Sequence, residues 1–142
     1  DLTNQSYLRP DVGNLTIFGL LAYDEFVNPD DYNEGVDPRQ IVENSGRIAR
    51  RFPIMQDGLS RGGYSGVYDN TPDHEPVLGA VSDYPGLYVD FGWSGHGFKH
   101  APVIGDILSD VILHGGSEGY DLRPFRFTRF REEDLITSRG IL

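Results

Sequence analysis

The stretch LYVDFGWSGHGFKHAPVIGDILSDVILHGG, Leu87 to Gly116, decides how the chain reads. Leu87 to Phe91 is a short apolar run of strand-forming residues. Gly92, Gly95 and Gly97 interrupt it. From there Phe98, Ala101, Ile104, Ile107, Leu108, Val111 and Ile112 recur at helical spacing, and Gly115-Gly116 closes the run. Pro102 is tolerated only in the first turns of a helix, which places the helix start within Gly95–Lys99. The unit is therefore a strand (87–91), a glycine-rich turn (92–97) and a helix (about 98–114).

A glycine inside a helix costs about 1 kcal/mol relative to alanine. Glycine belongs where the backbone turns sharply or where something must approach it closely. The unbonded N–H groups of a helix's first turn favour negative charge. Lys99, the only lysine of the chain, adds a full positive charge at the same place. Together these make a receptor for an anion, or for a carbonyl that becomes anionic. The plainer alternative is a tight corner with Lys99 solvated. The spacing is not GxGxxG, so no dinucleotide pyrophosphate site is indicated. His96 and His100 stand four apart without the glutamate of HExxH or a third ligand, so no metal is expected. His74 reads as a turn residue and His114 as a helix-end residue.

The remaining sequence arranges itself around this unit. A length of 142 residues suffices for a usable core. Residues 5–23 read as a hairpin turning at Asp11-Val12-Gly13-Asn14. Residues 24–37 form an acidic loop. Asp37-Pro38 opens a helix whose face carries Ile41, Val42, Ser45, Ile48, Ala49 and Phe52, and Pro53 stops it. Residues 63–69, GYSGVYD, read as strand-like, and Pro76 to Gly79 as a second extended piece between two turns.

The net charge of −10 argues against nucleic acid as a partner. The tail RPFRFTRFR, Arg123 to Arg131, is expected to be an arm that buries its phenylalanines and exposes its arginines. With no cysteine, disulfides and thiolate chemistry are excluded within the chain. No apolar run is long enough for a membrane helix, and the first residues, DLTNQSYLRP, carry no secretion signal. No membrane partner and a cytoplasmic location are the expectations. The missing initiator Met reads as a cut point.

The segment TPDHEPVLGAVSDYPGLYVDFGWSGHGFKHAPVIGDILSDVI resembles the C-terminal part of FAD-dependent amine and amino-acid oxidoreductases of the D-amino-acid oxidase family, among them sarcosine oxidase, glycine oxidase and dimethylglycine dehydrogenase. The signature has two parts, Thr71-Pro72-Asp73-x-x-Pro76-x-x-Gly79 and Ser94-Gly95-His96-Gly97-Phe98-Lys99. DLRPFRFTRF, Asp121 to Phe130, resembles the family's C-terminus. The resemblance implies that Gly95, His96, Gly97, Phe98 and Lys99 bind the pyrimidine end of the flavin. It implies that Lys99 also holds a substrate carboxylate, and that Tyr68 is an active-site aromatic residue. The family's flavin-tethering cysteine falls at Gly66 here, so FAD is expected to be non-covalent at this position. The family's oxygen-activating lysine, on the strand that Leu15–Tyr23 resembles, has no counterpart, which favours an acceptor other than oxygen.

The family's N-terminal βαβ unit, which binds the ADP half of FAD, is not in this sequence. The fold class expected is α+β: a partial antiparallel substrate-domain sheet with a helix (residues 1–62), then the strand and helix that complete an FAD-binding domain as an incomplete Rossmann-like unit (63–142). The whole is read as one compact unit cut from a larger enzyme. Its expected activity is oxidation of the C–N bond of a secondary or tertiary amino acid or related amine by hydride transfer to FAD. The missing N-terminal segment or a partner subunit would complete it. The isolated chain is expected to be inactive and to self-associate. The alternative is a non-catalytic carboxylate-binding or regulatory subunit.

Overall fold

The computed structural model describes residues 3–20 and 26–137. It is a mixed α/β structure with two small antiparallel sheets and two α-helices. The described residues fall into two compact units, one running to Val67 and the other from Tyr68 onward.

The first unit opens with the hairpin. Strands β1 (Ser6–Asp11) and β2 (Leu15–Leu20) pair antiparallel, with Ser6 opposite Leu20 and Asp11 opposite Leu15. Gly13 and Asn14 both adopt positive φ in the turn, and these are the residue types that tolerate it. Leu21, Ala22 and Tyr23, the end of the expected strand, lie outside the described residues.

Helix α1 spans Pro38–Arg51. Asp37 caps it by accepting the Arg39 N–H at 2.7 Å, and Gln40 reaches back to the Asp37 N–H, forming a capping box. Arg50 and Arg51 sit in its last turn, where the helix dipole favours cations. Ile48 is buried, but Val42 is exposed and falls outside the expected apolar face. A 3-10 turn, Pro53–Asp57, follows.

Residues 58–71 carry no regular structure, so the strand expected at 63–69 does not form. Strand-forming residues alone do not make a strand; an edge to pair with is needed, and this run has only the acidic loop. There the Ser65 N–H donates to the Glu34 carbonyl at 2.9 Å and its hydroxyl to that of Asn33.

The second unit holds strands β3 (Val77–Ala80) and β4 (Tyr88–Phe91), antiparallel, with Val77 opposite Phe91 and Ala80 opposite Tyr88. The turn between them is closed by Val81 and Leu87, and Gly86 takes positive φ. A 3-10 turn at Phe98–His100 leads into α2, Ala101–His114, so the helix starts close to where Pro102 required. Gly115 ends it in the left-handed conformation, its N–H donating to Val111 O at 3.0 Å. Leu78, Ile104, Ile107 and Val111 form the core, with Trp93, Leu108, Leu122 and Phe125 packed against it. Val103, Ile112 and Leu113 lie on the exposed side of α2. Among the described residues, no helix is long and apolar enough to cross a membrane.

The tail corrects a second expectation. The arm is built of two 3-10 turns, Arg123–Phe125 and Phe127–Phe130. Phe125 packs on the core and Arg123 and Arg131 are exposed, as expected, but Arg129 is 0% exposed and Phe127 48% exposed, the reverse of the expectation at those two positions. The cause is a carboxylate that the local sequence does not announce. Arg129 donates Nε to Asp73 Oδ2 at 2.8 Å and Nη2 to Oδ1 at 2.9 Å. Burying both ends of that pair is tolerable because each is hydrogen-bonded.

Candidate functional site

The site begins at the end of β4. Gly92, at φ 75°, turns the chain away from the strand, and its Cα lies against the Thr71 methyl: a Cβ there would stand 2.3 Å from Thr71 Cγ2. Only glycine fits both demands. Ser94 Oγ accepts the Thr71 N–H at 3.4 Å and donates to the Gly92 carbonyl at 3.3 Å. The Asp69 carboxylate accepts the Gly92 N–H at 2.7 Å and the Trp93 N–H at 3.4 Å. The turn is thus held from the segment 69–71.

That segment is held in its own right by the tail. Asp73 accepts from Arg129 and from the N–H groups of Glu75 (3.3 Å) and Ile136 (3.1 Å), and its side chain is 2% exposed. Arg129 Nη2 also reaches the Glu75 carbonyl at 2.7 Å. Burial pushes the Asp73 carboxyl up. The hydrogen bonds from Arg129, Ile136 and Glu75, with the Arg129 charge, outweigh it and hold the group well below the ordinary carboxylate range. The Thr71-Pro72-Asp73 signature is therefore a buried anchor in this structure.

A cavity of about 460 Å³ opens on the other side of the turn, lined by Tyr68, Asp69, Asp90, Trp93, Gly95, Gly97, Phe98, Ala101 and Ile104. Its size falls in the range of small-molecule sites, and its lining is largely apolar with few polar groups. No side chain caps the start of the helix beside it. The structure brings together four of the residues expected at a site: Tyr68, Gly95, Gly97 and Phe98. Phe98 is 98% exposed.

The glycines have occupants within the chain itself. A Cβ on Gly95 would stand 2.8 Å from Tyr68 Cε1, and one on Gly97 would stand 2.6 Å from Trp93 Cγ. Two other expected residues do not line the cavity. Lys99 Nζ donates to the His96 carbonyl at 3.1 Å, on the surface. The His96 ring nitrogen Nε2 lies 3.1 Å from the His74 carbonyl, and its ring meets Trp93 and His100 edge-on. Gly66 has open space around it. Among the described residues no cluster is placed to hold a metal ion.

Sequence reasoning missed Asp69, Asp90 and Trp93. Trp93 is the only tryptophan in the chain and Asp90 precedes it by three residues, which was the available signal. Its indole Nε1–H donates to Asp90 Oδ1 at 2.6 Å.

Comparison with known proteins gives the site its context. N-methyl-L-tryptophan oxidase of Salmonella newport (strain SL254) is 37% identical over 89 residues, which cover 59% of this chain and 24% of that protein. The same enzyme of Salmonella typhi aligns with the same figures, 37% over 89 residues, 59% and 24%. The crystal structure of L-proline dehydrogenase from P. horikoshii matches with a TM-score of 0.83 at 24% identity, covering 94% of this chain and 35% of that one. At that identity the likeness is one of fold. The chain spans about a quarter of the length of these curated relatives. The family described as DAO, FAD dependent oxidoreductase, matches residues 1–111, and the chain belongs to that family, whose cofactor is FAD.

Proposed function

We propose that this chain is the C-terminal part of an oxidoreductase that removes a hydride equivalent across the C–N bond of a secondary or tertiary amino acid or a related amine. The observation that carries the reading is the cavity at an uncapped helix start, walled by Tyr68, Gly95, Gly97 and Phe98, in a chain of the FAD-dependent family. The cavity's size and aromatic walls fit the ring end of FAD. Bound FAD supplies the two-electron acceptor. Residues 1–62 then belong to a substrate-binding domain, and residues 63–142 complete the FAD-binding domain.

Within that reading the chain's own groups have separate tasks. Gly95, Gly97 and Phe98 flank the cofactor, with His96 and Lys99 beside them outside the lining. The first-turn N–H groups favour negative charge placed beside them. Lys99 sits just outside the lining, and its four-carbon stem lets the amine leave the His96 carbonyl for a substrate carboxylate. Tyr68 forms the aromatic wall. An acceptor other than oxygen suits a chain whose only lysine is Lys99. A carboxylate-binding module without redox chemistry has less support, because the lining carries Asp69 and Asp90 and no basic side chain.

The test is anaerobic addition of an N-methylated amino acid to the FAD-loaded complete enzyme that contains this chain. Bleaching of the visible flavin band, followed by an imine-derived carbonyl product, is the expected result. An unbleached flavin across secondary and tertiary amino acids contradicts the proposal.

A further inference from the structure

Trp93 is gripped at both of its N–H groups by separate carboxylates. Its backbone N–H, with that of Gly92, faces Asp69 Oδ2 at 3.4 and 2.7 Å, and its indole N–H donates to Asp90 Oδ1 at 2.6 Å. One part of the ring packs against the core of Leu78, Ile104, Ile107 and Val111. The ring also stacks on His100, with centroids 5.4 Å apart and planes at 24°. Its Cβ and Cγ cover Gly97 so closely that no Cβ would fit between them.

Asp69 also serves the N–H of the buried Gly92, but the indole contact is not needed to satisfy a buried group, since Asp90 is exposed and Trp93 only half-buried. What the pair does is fix one rotamer of a large ring on a turn whose other residues are three glycines, Ser94 and His96. An ionised acceptor makes each hydrogen bond stronger than a neutral one.

We infer that Asp69 and Asp90 are positioning residues that lock Trp93 across Gly97. Trp93 is then a fixed wall of the cavity and a determinant of which ring-shaped ligand it admits. A ligand enters along the Tyr68 and Phe98 side, and the Gly97 side stays shut. The part of this inference that concerns a ligand rests on the function proposed above; the lock itself does not.

Because Trp93 is the only tryptophan, its near-ultraviolet dichroism and emission report the lock in the chain itself, without flavin. Asp90→Asn keeps an oxygen acceptor for the indole and is expected to retain the wild-type tryptophan signals. Asp90→Ala is expected to lose the tryptophan dichroic band, shift emission to the red and increase quenching by acrylamide, with the far-ultraviolet spectrum unchanged. Asp69→Ala is expected to do the same through the backbone; if it melts the unit, Asp69→Asn replaces it and should behave as wild type. Unchanged tryptophan signals in Asp90→Ala overturn the lock, as does equal loss in Asp90→Asn. In the FAD-loaded protein, Asp90→Ala should weaken FAD binding and Asp90→Asn should restore it. Equal affinity in all three overturns the wall's role at the site while the proposed function stands.

Discussion

The two sides of the turn at residues 92–97 differ in almost every physical respect. Behind it, Asp73 and Arg129 are sealed from solvent at 2% and 0% exposure, and the two charges are paired with each other. In front of it, Phe98 is almost fully exposed, Lys99 bonds a surface carbonyl, and a cavity stands open beside an uncapped helix start. The segment 69–73 connects the two, reaching the anchor through Asp73 and the turn through Asp69 and Thr71. The contrast separates stability from chemistry: the groups that could meet a ligand stand on an exposed face while the other face holds the backbone still.

The sharpest way to break that contrast is at the anchor. Removing one partner of a buried pair leaves an uncompensated charge, so Arg129→Ala should lose about 3–5 kcal/mol of unfolding free energy in denaturant titration. A loss below about 1 kcal/mol would mean that the back of the turn is not its support.

Acid should loosen the same point. The Asp73 value is lowered in the folded state, so the group binds its proton more readily when unfolded. Its contribution is fully present above the ordinary value of 3.8 and drains away as pH falls below it toward the folded value. Unfolding midpoints of wild type and Asp73→Asn should therefore differ at neutral pH and converge below that value. A gap that persists in acid would point to lost packing instead.

A smaller effect is expected at the turn. Gly92→Ala combines a positive φ with a clash against Thr71 Cγ2 and should cost about 1–3 kcal/mol by thermal or denaturant unfolding. A neutral substitution there would show that the turn can relax and that the anchor does not fix it.

Much of the fold was legible because its causes are local. Asp37, Pro38 and Gln40 announce α1, Gly13 and Asn14 announce the hairpin turn, and Pro102 and Gly115 bracket α2. The failures are non-local. Arg129 meets Asp73 across 56 positions, and no window of sequence shows that an arginine among phenylalanines will be the buried residue. Residues 63–69 hold the strand-forming residues Tyr64, Val67 and Tyr68, but pairing depends on an edge elsewhere. At the site, the family resemblance of Ser94 to Lys99 led to Gly95, Gly97 and Phe98, whereas Asp69 and Asp90 are ordinary acidic residues until the fold places them on the turn's backbone N–H groups and on the Trp93 indole.

The smallest stability effect belongs to the residue expected to matter most for turnover. Lys99 is exposed, so Lys99→Met should change unfolding free energy by no more than about 0.5 kcal/mol. A charge-assisted contact to a carboxylate is worth about 1.5–3 kcal/mol, which predicts a KM raised by one to two decades for carboxylated amines and much less for amines without the carboxylate. The measurement that decides is therefore the KM of the FAD-loaded complete enzyme carrying Lys99→Met for a matched pair of amines, with and without the carboxylate. Selective loss on the carboxylated amine, at unchanged stability, is the predicted result. Equal KM values for wild type and variant on both amines would contradict it and leave the glycine turn as a structural corner.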